Sequence, residues 1–383
     1  MALKVSKRAD VSPFIVMDVL RAANAREAAG ETILHMEVGQ PGHSAPEAAL
    51  KAAERALRNG RMGYTDARGL PELGARLARH YQEAYGVDLD PARIMTTTGS
   101  SAGFLLSFLS AFDPGDRVAL AAPGYPAYRN ILSALGLEPV WLETTAAERF
   151  QPTPELLDRV EGPLHGLIVA SPSNPAGTML GRAEMKALVD ACAERGIRLI
   201  SDEIYHGVTY EARGVSALEF TDAAIVVNSF SKYYAMTGWR LGWLVLPEDL
   251  LRPVERLSQN LFISPPTISQ HAGLAALDCG AELDRVVEGY RRNRDLLLEA
   301  LPKAGFTELA PADGAFYLYA DIGHLSHDSH DFCRRMLEET GVATTPGLDF
   351  DPRRGHRFMR FSFAGSEVEV AEAARRLQAW LRG

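Results

Sequence analysis

Between about residues 93 and 246, short runs of aliphatic and β-branched residues alternate with amphipathic stretches. No other feature of the chain constrains its fold as tightly. The alternation is the sequence form of an α/β domain on a largely parallel sheet, because parallel neighbours need crossover helices between them. The spacing predicts strands at 94–98, 117–121, 140–142, 166–170, 198–201, 224–228 and 241–246. Helical stretches at 128–135 and 182–195 fall between them, with Gly136 and Gly196 placed as C-terminal caps. Ligands of such sheets sit beyond the carboxyl ends of the strands, so the residues just after each run are the first candidates for chemistry.

After residue 280 the pattern changes. A long charged helix, 282–301, is expected to stop at Pro302, and a smaller α+β segment follows whose last helix opens with the capping box Ser366-Glu367-Val368-Glu369. The first ~40 residues are too few to fold alone. The expected organisation is an N-terminal segment, 1–42, joining the small domain, a large domain, 43–281, and a small C-terminal domain, 282–383. With 49 acidic against 40 basic residues and no basic block, the chain has nothing to track a phosphate backbone or an anionic membrane surface, so no nucleic-acid partner is expected. Cys192, Cys279 and Cys333 lack any CxxC pairing and suggest neither a disulfide framework nor a zinc–thiolate site, which suits a reducing compartment. Lys4, Lys7 and Arg8 precede Phe14-Ile15-Val16-Met17, but Asp18 interrupts that run and no small-residue cleavage site follows. No run approaches the roughly 18 apolar residues of a membrane helix. The expected location is the cytoplasm.

The densest chemistry lies at 228–240, where Ser229, Ser231, Lys232 and Arg240 follow a strand. A lysine in a partly desolvated, cationic site loses proton affinity and can form a Schiff base with an aldehyde; alone, it reads as a solvated surface lysine. Upstream, Asp202 and Tyr205 lie one helical turn apart at a strand end. A carboxylate there can keep a pyridine nitrogen protonated, and a phenol can donate to a ring oxygen; the plainer reading is a cap and a packed ring. Asn174, between Pro172 and Pro175, offers a rigidly held amide or a simple turn. Gly99-Ser100-Ser101 joins a strand to an apolar helix and forms a phosphate seat at a helix N-terminus, which Ser229, Ser231 and Arg240 could close.

Two competing readings share these residues. Gly99-Ser100-Ser101-Ala102-Gly103 matches the nucleophile elbow of serine hydrolases, with Asp202 or Asp222 and His324 or His356 as partners, but no HGGG-type oxyanion loop precedes it and Lys232 would have no role. Ser229-Phe230-Ser231-Lys232 matches S-x-x-K without the S-D-N and K-T-G partners of that family. His324, His327 and His330 have the spacing of a metal face, yet their polar segment reads more simply as a loop leading into a helix at 332–340, and no metal site is expected.

Taken together, the chain resembles the class I aminotransferases, fold-type I enzymes dependent on pyridoxal 5′-phosphate, over nearly its whole length. The matching segments are Val38-Gly39-Gln40-Pro41, Tyr64 before Gly69, Gly99-Ser100-Ser101, Pro123-Gly124-Tyr125, 171–177, 201–205, 229–240 and Met359-Arg360-Phe361-Ser362. The resemblance implies a large domain with a mainly parallel seven-stranded sheet sandwiched by helices, plus a smaller α+β domain. It makes Lys232 the Schiff-base lysine and proton shuttle, Asp202 the partner of the pyridine nitrogen, Asn174 and Tyr205 the holders of the phenolate oxygen, and Tyr125 the residue stacked on the ring. Ser100, Ser101, Ser229, Ser231 and Arg240 would hold the phosphate, with Tyr64 reaching across from the other subunit of a homodimer. Arg360, with the Gly39 N–H, would clamp the substrate α-carboxylate; read alone, Arg360 is an arginine starting a strand. The implied reaction is ping-pong transfer of an amino group from an L-amino acid to a 2-oxo acid.

The segments resembling pocket walls, Phe14-Ile15-Val16 and Asn260-Leu261-Phe262-Ile263, are mostly apolar. They point to neutral or aromatic donors with 2-oxoglutarate or pyruvate as acceptor, whereas an aspartate-like donor needs a second cation that the sequence does not identify. Relatives on this scaffold also catalyse C–S or β-lyase chemistry, which stands as the alternative. Regulators that fuse such a domain to a DNA-binding module are a further class, and the N-terminal segment is too short for one.

Overall fold

The computed structural model describes residues 3–60 and 62–382. Thirteen strands are present among them: β1 (Leu34–His35), β2 (Ile94–Thr97), β3 (Arg117–Ala122), β4 (Glu138–Glu143), β5 (Gly166–Ala170), β6 (Arg198–Asp202), β7 (Ile225–Ser229), β8 (Gly242–Val245), β9 (Glu308–Leu309), β10 (Tyr317–Asp321), β11 (Val342–Ala343), β12 (Thr345–Pro346) and β13 (Phe358–Ser362). Seven form one sheet in the order β2-β8-β7-β6-β5-β3-β4. Within it only β8 runs antiparallel to its neighbours. The expected mainly parallel seven-stranded sheet is therefore the observed one, and all seven strand positions read from the sequence fall on it.

Why these runs become strands follows from their burial. Every residue of β2, β7 and β8 is buried, as continuous apolar strands covered by helices on both faces must be. Helix Gly99–Ala111, itself apolar on nearly every side, covers one face through Phe104 and Phe108. Helix Arg182–Arg195 covers the other through Met185, Leu188 and Cys192. Gly136 and Gly196 end their helices in the left-handed region, φ 83° and 65°, as the C-terminal caps require.

The long helix departs from expectation. It spans Gly280–Ala304, so Pro302 lies inside its last turn, and Gly305 at φ 110° ends it. A proline near a helix end removes one hydrogen bond and bends the axis without stopping the chain there. A four-stranded antiparallel sheet follows, ordered β12-β13-β10-β9, and β1 pairs in parallel with β11, Leu34 opposite Val342. The capping box forms as expected: the Ser366 N–H donates to the Glu369 carboxylate at 3.0 Å and the Glu369 N–H to Ser366 Oγ at 3.3 Å, ahead of helix Glu367–Arg382. Among the described residues no helix is long and apolar enough to cross a membrane.

Candidate active site

The carboxyl ends of the parallel strands share one edge of the large sheet, and a cavity of about 280 Å³ opens there beneath the small sheet. Lys232, just past β7, and Asp202, the last residue of β6, both line it. Asn174 enters from the loop after β5, Tyr205 from the turn after β6, and Tyr125 from the loop after β3. Arg360 comes from the middle of β13 in the small sheet, not from a strand start.

Charge and hydrogen bonding set the character of this cavity. Burial, aided by the positive Arg360 and Arg240, brings the Lys232 amine down to about 8, so a neutral amine is accessible near neutral pH. Its Nζ donates to the Gly39 carbonyl at 2.7 Å. Burial pushes the Asp202 carboxyl up to about 6, against hydrogen bonds from the Tyr128 hydroxyl and the Ile204 N–H that draw it down. Arg360 is buried. Its Nη1 donates to Asn174 Oδ1 at 2.8 Å, and its Nη2 donates to the Glu37 carbonyl and to Thr345 Oγ1. The Tyr317 and Phe350 rings flank its guanidinium, with centroids 4.3 and 4.7 Å from Cζ.

At the other end, Ser100 and Ser101 open helix Gly99–Ala111 and face Ser231, Thr237 and Arg240 across the cavity. Arg240 donates to the Thr237 carbonyl at 3.0 Å and, among the described residues, has no carboxylate in ion-pair reach. A Cβ on Gly99 would stand 2.5 Å from its Nη2, so only glycine lets the guanidinium approach the helix start. An unpaired arginine, the hydroxyls of Ser100, Ser101, Ser231 and Thr237, and a helix N-terminus together make an anion seat.

Not every residue picked from the sequence lies on the cavity wall. Ser229 sits one layer behind, its Oγ donating to the Leu241 carbonyl at 2.9 Å and bonded to Ser231 Oγ at 2.8 Å. Tyr64 is 82% exposed, outside the cavity of its own chain. Of the two apolar wall segments, Phe14 and Val16 line the cavity, whereas Asn260-Leu261-Phe262-Ile263 does not; Leu261 and Ile263 face outward. Gly39 is present, but its contact is the carbonyl that accepts from Lys232.

The reverse also holds, since sequence reasoning passed over Tyr128, Tyr317, Asp349 and Phe350. Asp349 accepts from the Ile15 and Val16 N–H groups at 3.0 and 3.2 Å, fixing the first turn of helix Ile15–Ala28 as a cavity wall. No histidine lines the cavity, His324 bonds the Gly305 carbonyl, and Asp222 is paired with Arg93. Ser101 therefore has no triad, and the hydrolase reading falls.

Comparison with known proteins agrees with this geometry. The family model described as aminotransferase class I and II matches residues 31–377. A valine–pyruvate aminotransferase of Mycobacterium tuberculosis is 48% identical over 382 residues, covering 99% of this chain and 98% of that protein. A (5-formylfuran-3-yl)methyl phosphate transaminase of Methanocaldococcus jannaschii is 34% identical over 96% of each chain. The crystal structure of an aminotransferase from Mycobacterium tuberculosis superposes with a TM-score of 0.98 at 48% identity, covering 100% of both chains. An amine, a carboxylate and an arginine converging beside an anion seat, on a chain aligned end to end with transaminases, place this protein among the class I and II aminotransferases, which exchange an amino group between an amino acid and a 2-oxo acid.

Proposed function

We propose that this transaminase depends on pyridoxal 5′-phosphate and prefers neutral aliphatic amino acids as donors with pyruvate as acceptor. The observation that carries this reading is the distribution of charge in the cavity. Among the described residues its only lining cations are Lys232, Arg240 and Arg360, whereas Phe14, Val16, Met17, Val38 and Phe350 give it an apolar lining. With Arg360 engaged by the α-carboxylate and Arg240 by the phosphate, no lining cation among the described residues is left for a distal carboxylate. The 48% identical relative bears the name valine–pyruvate aminotransferase, in keeping with such a wall.

The residues fit the cofactor on physical grounds. Arg240, unpaired, and the space that Gly99 leaves beside it suit a phosphate. When bound, pyridoxal 5′-phosphate supplies an electron-withdrawing ring that stores the electron pair left at Cα. The rest is done by the chain. Asp202 keeps a proton on the ring nitrogen, and Tyr128 and the Ile204 N–H help hold its carboxyl ionised. Asn174, its Oδ1 already taken by Arg360, offers Nδ2 to the ring's phenol oxygen, and Tyr205 donates to the same atom. Tyr125 covers one ring face. Arg360 binds the α-carboxylate with the planar fork that lysine cannot reproduce. Lys232 Nζ, an amine of lowered proton affinity, would be the group that moves the proton between the substrate Cα and the C4′ of the bound cofactor.

Ser100, Ser101, Ser231 and Arg240 hold the phosphate, with Ser229 fixing Ser231 from behind. The partner subunit's Tyr64 completes that seat in a homodimer, a reading supported by the exposure of Met62, Tyr64, Leu261 and Ile263 on one chain. Residues 43–281 form the cofactor-bearing domain, while 1–42 join 282–383 through the β1–β11 pairing. The test is the absorbance spectrum of the purified protein before and after separate additions of valine, alanine, phenylalanine and aspartate, with the released oxo acid identified. A visible band bleached faster by valine and alanine than by aspartate supports the proposal. A faster response to aspartate overturns the specificity, and no band after soaking in the cofactor overturns the whole reading.

A further inference from the structure

Tyr317 stands between the two ends of the cavity, and nothing so far assigns it a role. It opens β10 and is buried. Its hydroxyl lies 2.7 Å from the Tyr205 hydroxyl, while its ring lies 4.3 Å beneath the Arg360 guanidinium. In the β10–β13 register Tyr317 is opposite Ser362 and Tyr319 opposite Arg360, so Tyr317 and Arg360 are diagonal neighbours on one face. A Cβ on Gly39 would coincide with the Tyr317 hydroxyl; glycine there is what admits the phenol.

We infer that Tyr317 is a positioning residue that orders the Tyr205 hydroxyl through one handle and the Arg360 guanidinium through the other. This rests on the proposed reading, in which Tyr205 donates to the phenol oxygen of pyridoxal 5′-phosphate. Each tyrosine hydroxyl has one proton to give. If Tyr205 spends its proton on that oxygen, the short contact with Tyr317 requires Tyr317 to be the donor. A hydroxyl that accepts one hydrogen bond becomes a stronger donor in the next, so Tyr317 both aims and strengthens Tyr205. The ring works separately: it supports the flat side of the guanidinium, setting the plane in which a carboxylate is met.

The experiment titrates the visible band of the holoenzyme with pH. A donor to the phenol oxygen favours its anionic, deprotonated form. Tyr317→Phe is therefore expected to raise the midpoint by about half a pH unit, roughly threefold in the proton equilibrium, and to leave KM for the amino acid within about twofold because the ring stays. Tyr205→Phe should raise the midpoint further, and the double variant should match Tyr205→Phe alone. Tyr317→Leu, which removes the ring, should raise KM about fivefold. Fluorotyrosine at 317 preserves shape and sharpens the donor, so it should lower the midpoint; this measurement serves even if the Phe variant fails to fold. An unmoved midpoint, an equal shift with and without the Tyr205 hydroxyl, or a rise with fluorotyrosine overturns the inference while the cofactor reading stands. Absence of any band in the unaltered protein overturns both.

Discussion

Replacing Arg360 by lysine separates what its charge does from what its shape does. The guanidinium has five N–H groups, and the structure commits three of them, to Asn174 Oδ1, the Glu37 carbonyl and Thr345 Oγ1. Nε is buried without a partner, so at least two N–H groups remain for a substrate carboxylate. A lysine ammonium has three protons in all, and the same three oxygens compete for them. The variant keeps the charge and loses the equivalent of one charge-assisted hydrogen bond to substrate, about 1.5–3 kcal/mol, or about 10- to 150-fold in kcat/KM. The loss should fall mainly on KM, because the carboxylate is held alike before and during the proton transfer. Bleaching of the cofactor band in single turnovers with valine and with isobutylamine, which is valine without its carboxylate, provides the control. Arg360→Lys should slow valine and leave isobutylamine within about twofold. Equal losses for both would mean that Arg360 shapes the cavity rather than binding the carboxylate, and the assignment would fall.

The remaining predictions concern the cofactor end. Lys232→Ala should bind pyridoxal phosphate without a borohydride-fixable linkage and lose about 10²–10⁴-fold in turnover; near-normal turnover would remove Lys232 from the chemistry. In the cofactor-free protein the same amine is a burden on folding. Its proton is held less tightly folded, at about 8, than unfolded, near 10.5, so the unfolded chain binds more protons between those pH values and stability rises with pH across them. Lys232→Met should stabilise that protein at pH 7 by at most about 3 kcal/mol, a gain that shrinks by pH 10.5 in urea titrations. A pH-independent gain contradicts this. Tyr128→Phe should raise the Asp202 carboxyl by about one to two pH units, read by carbon NMR of the cofactor-free protein, since one hydrogen bond to a buried carboxylate is lost. Gly99→Ala should weaken binding of the phosphorylated cofactor about tenfold by displacing Arg240, and an unchanged dissociation constant would show that the guanidinium can retreat at no cost.

What the sequence disclosed follows the range of the forces involved. The strands of the large sheet were legible because a parallel strand covered on both faces must be a short unbroken apolar run, and the residues after it inherit a place at the sheet edge. The place of Lys232, Asp202, Asn174 and Ser101 on the cavity was legible for that reason. Tyr128 and Tyr317 were not, because a tyrosine within an apolar stretch reads as packing, and their partners lie 74 and 112 residues away. Pro302 was misread by treating proline as an absolute stop, which it is only where the lost N–H bond cannot be spared. The segment 260–263 was apolar as expected, but apolarity does not say which cavity a segment faces, and here it turns outward.

The carboxylate that holds the first turn of helix Ile15–Ala28 belongs to Asp349, 334 residues further along the chain. On a ribosome adding roughly 5–20 residues per second, the N-terminal helix waits about 17–67 seconds for the side chain that docks it. Throughout that interval Phe14, Val16 and Met17 lack the anchor that holds them at the cavity, and β1 has no strand to pair with until Val342 and Ala343 emerge. The wall that helix Ile15–Ala28 lends the cavity therefore cannot be fixed until most of the chain has been made, and a product truncated before Asp349 would carry Lys232 and the anion seat without the carboxylate that docks that wall.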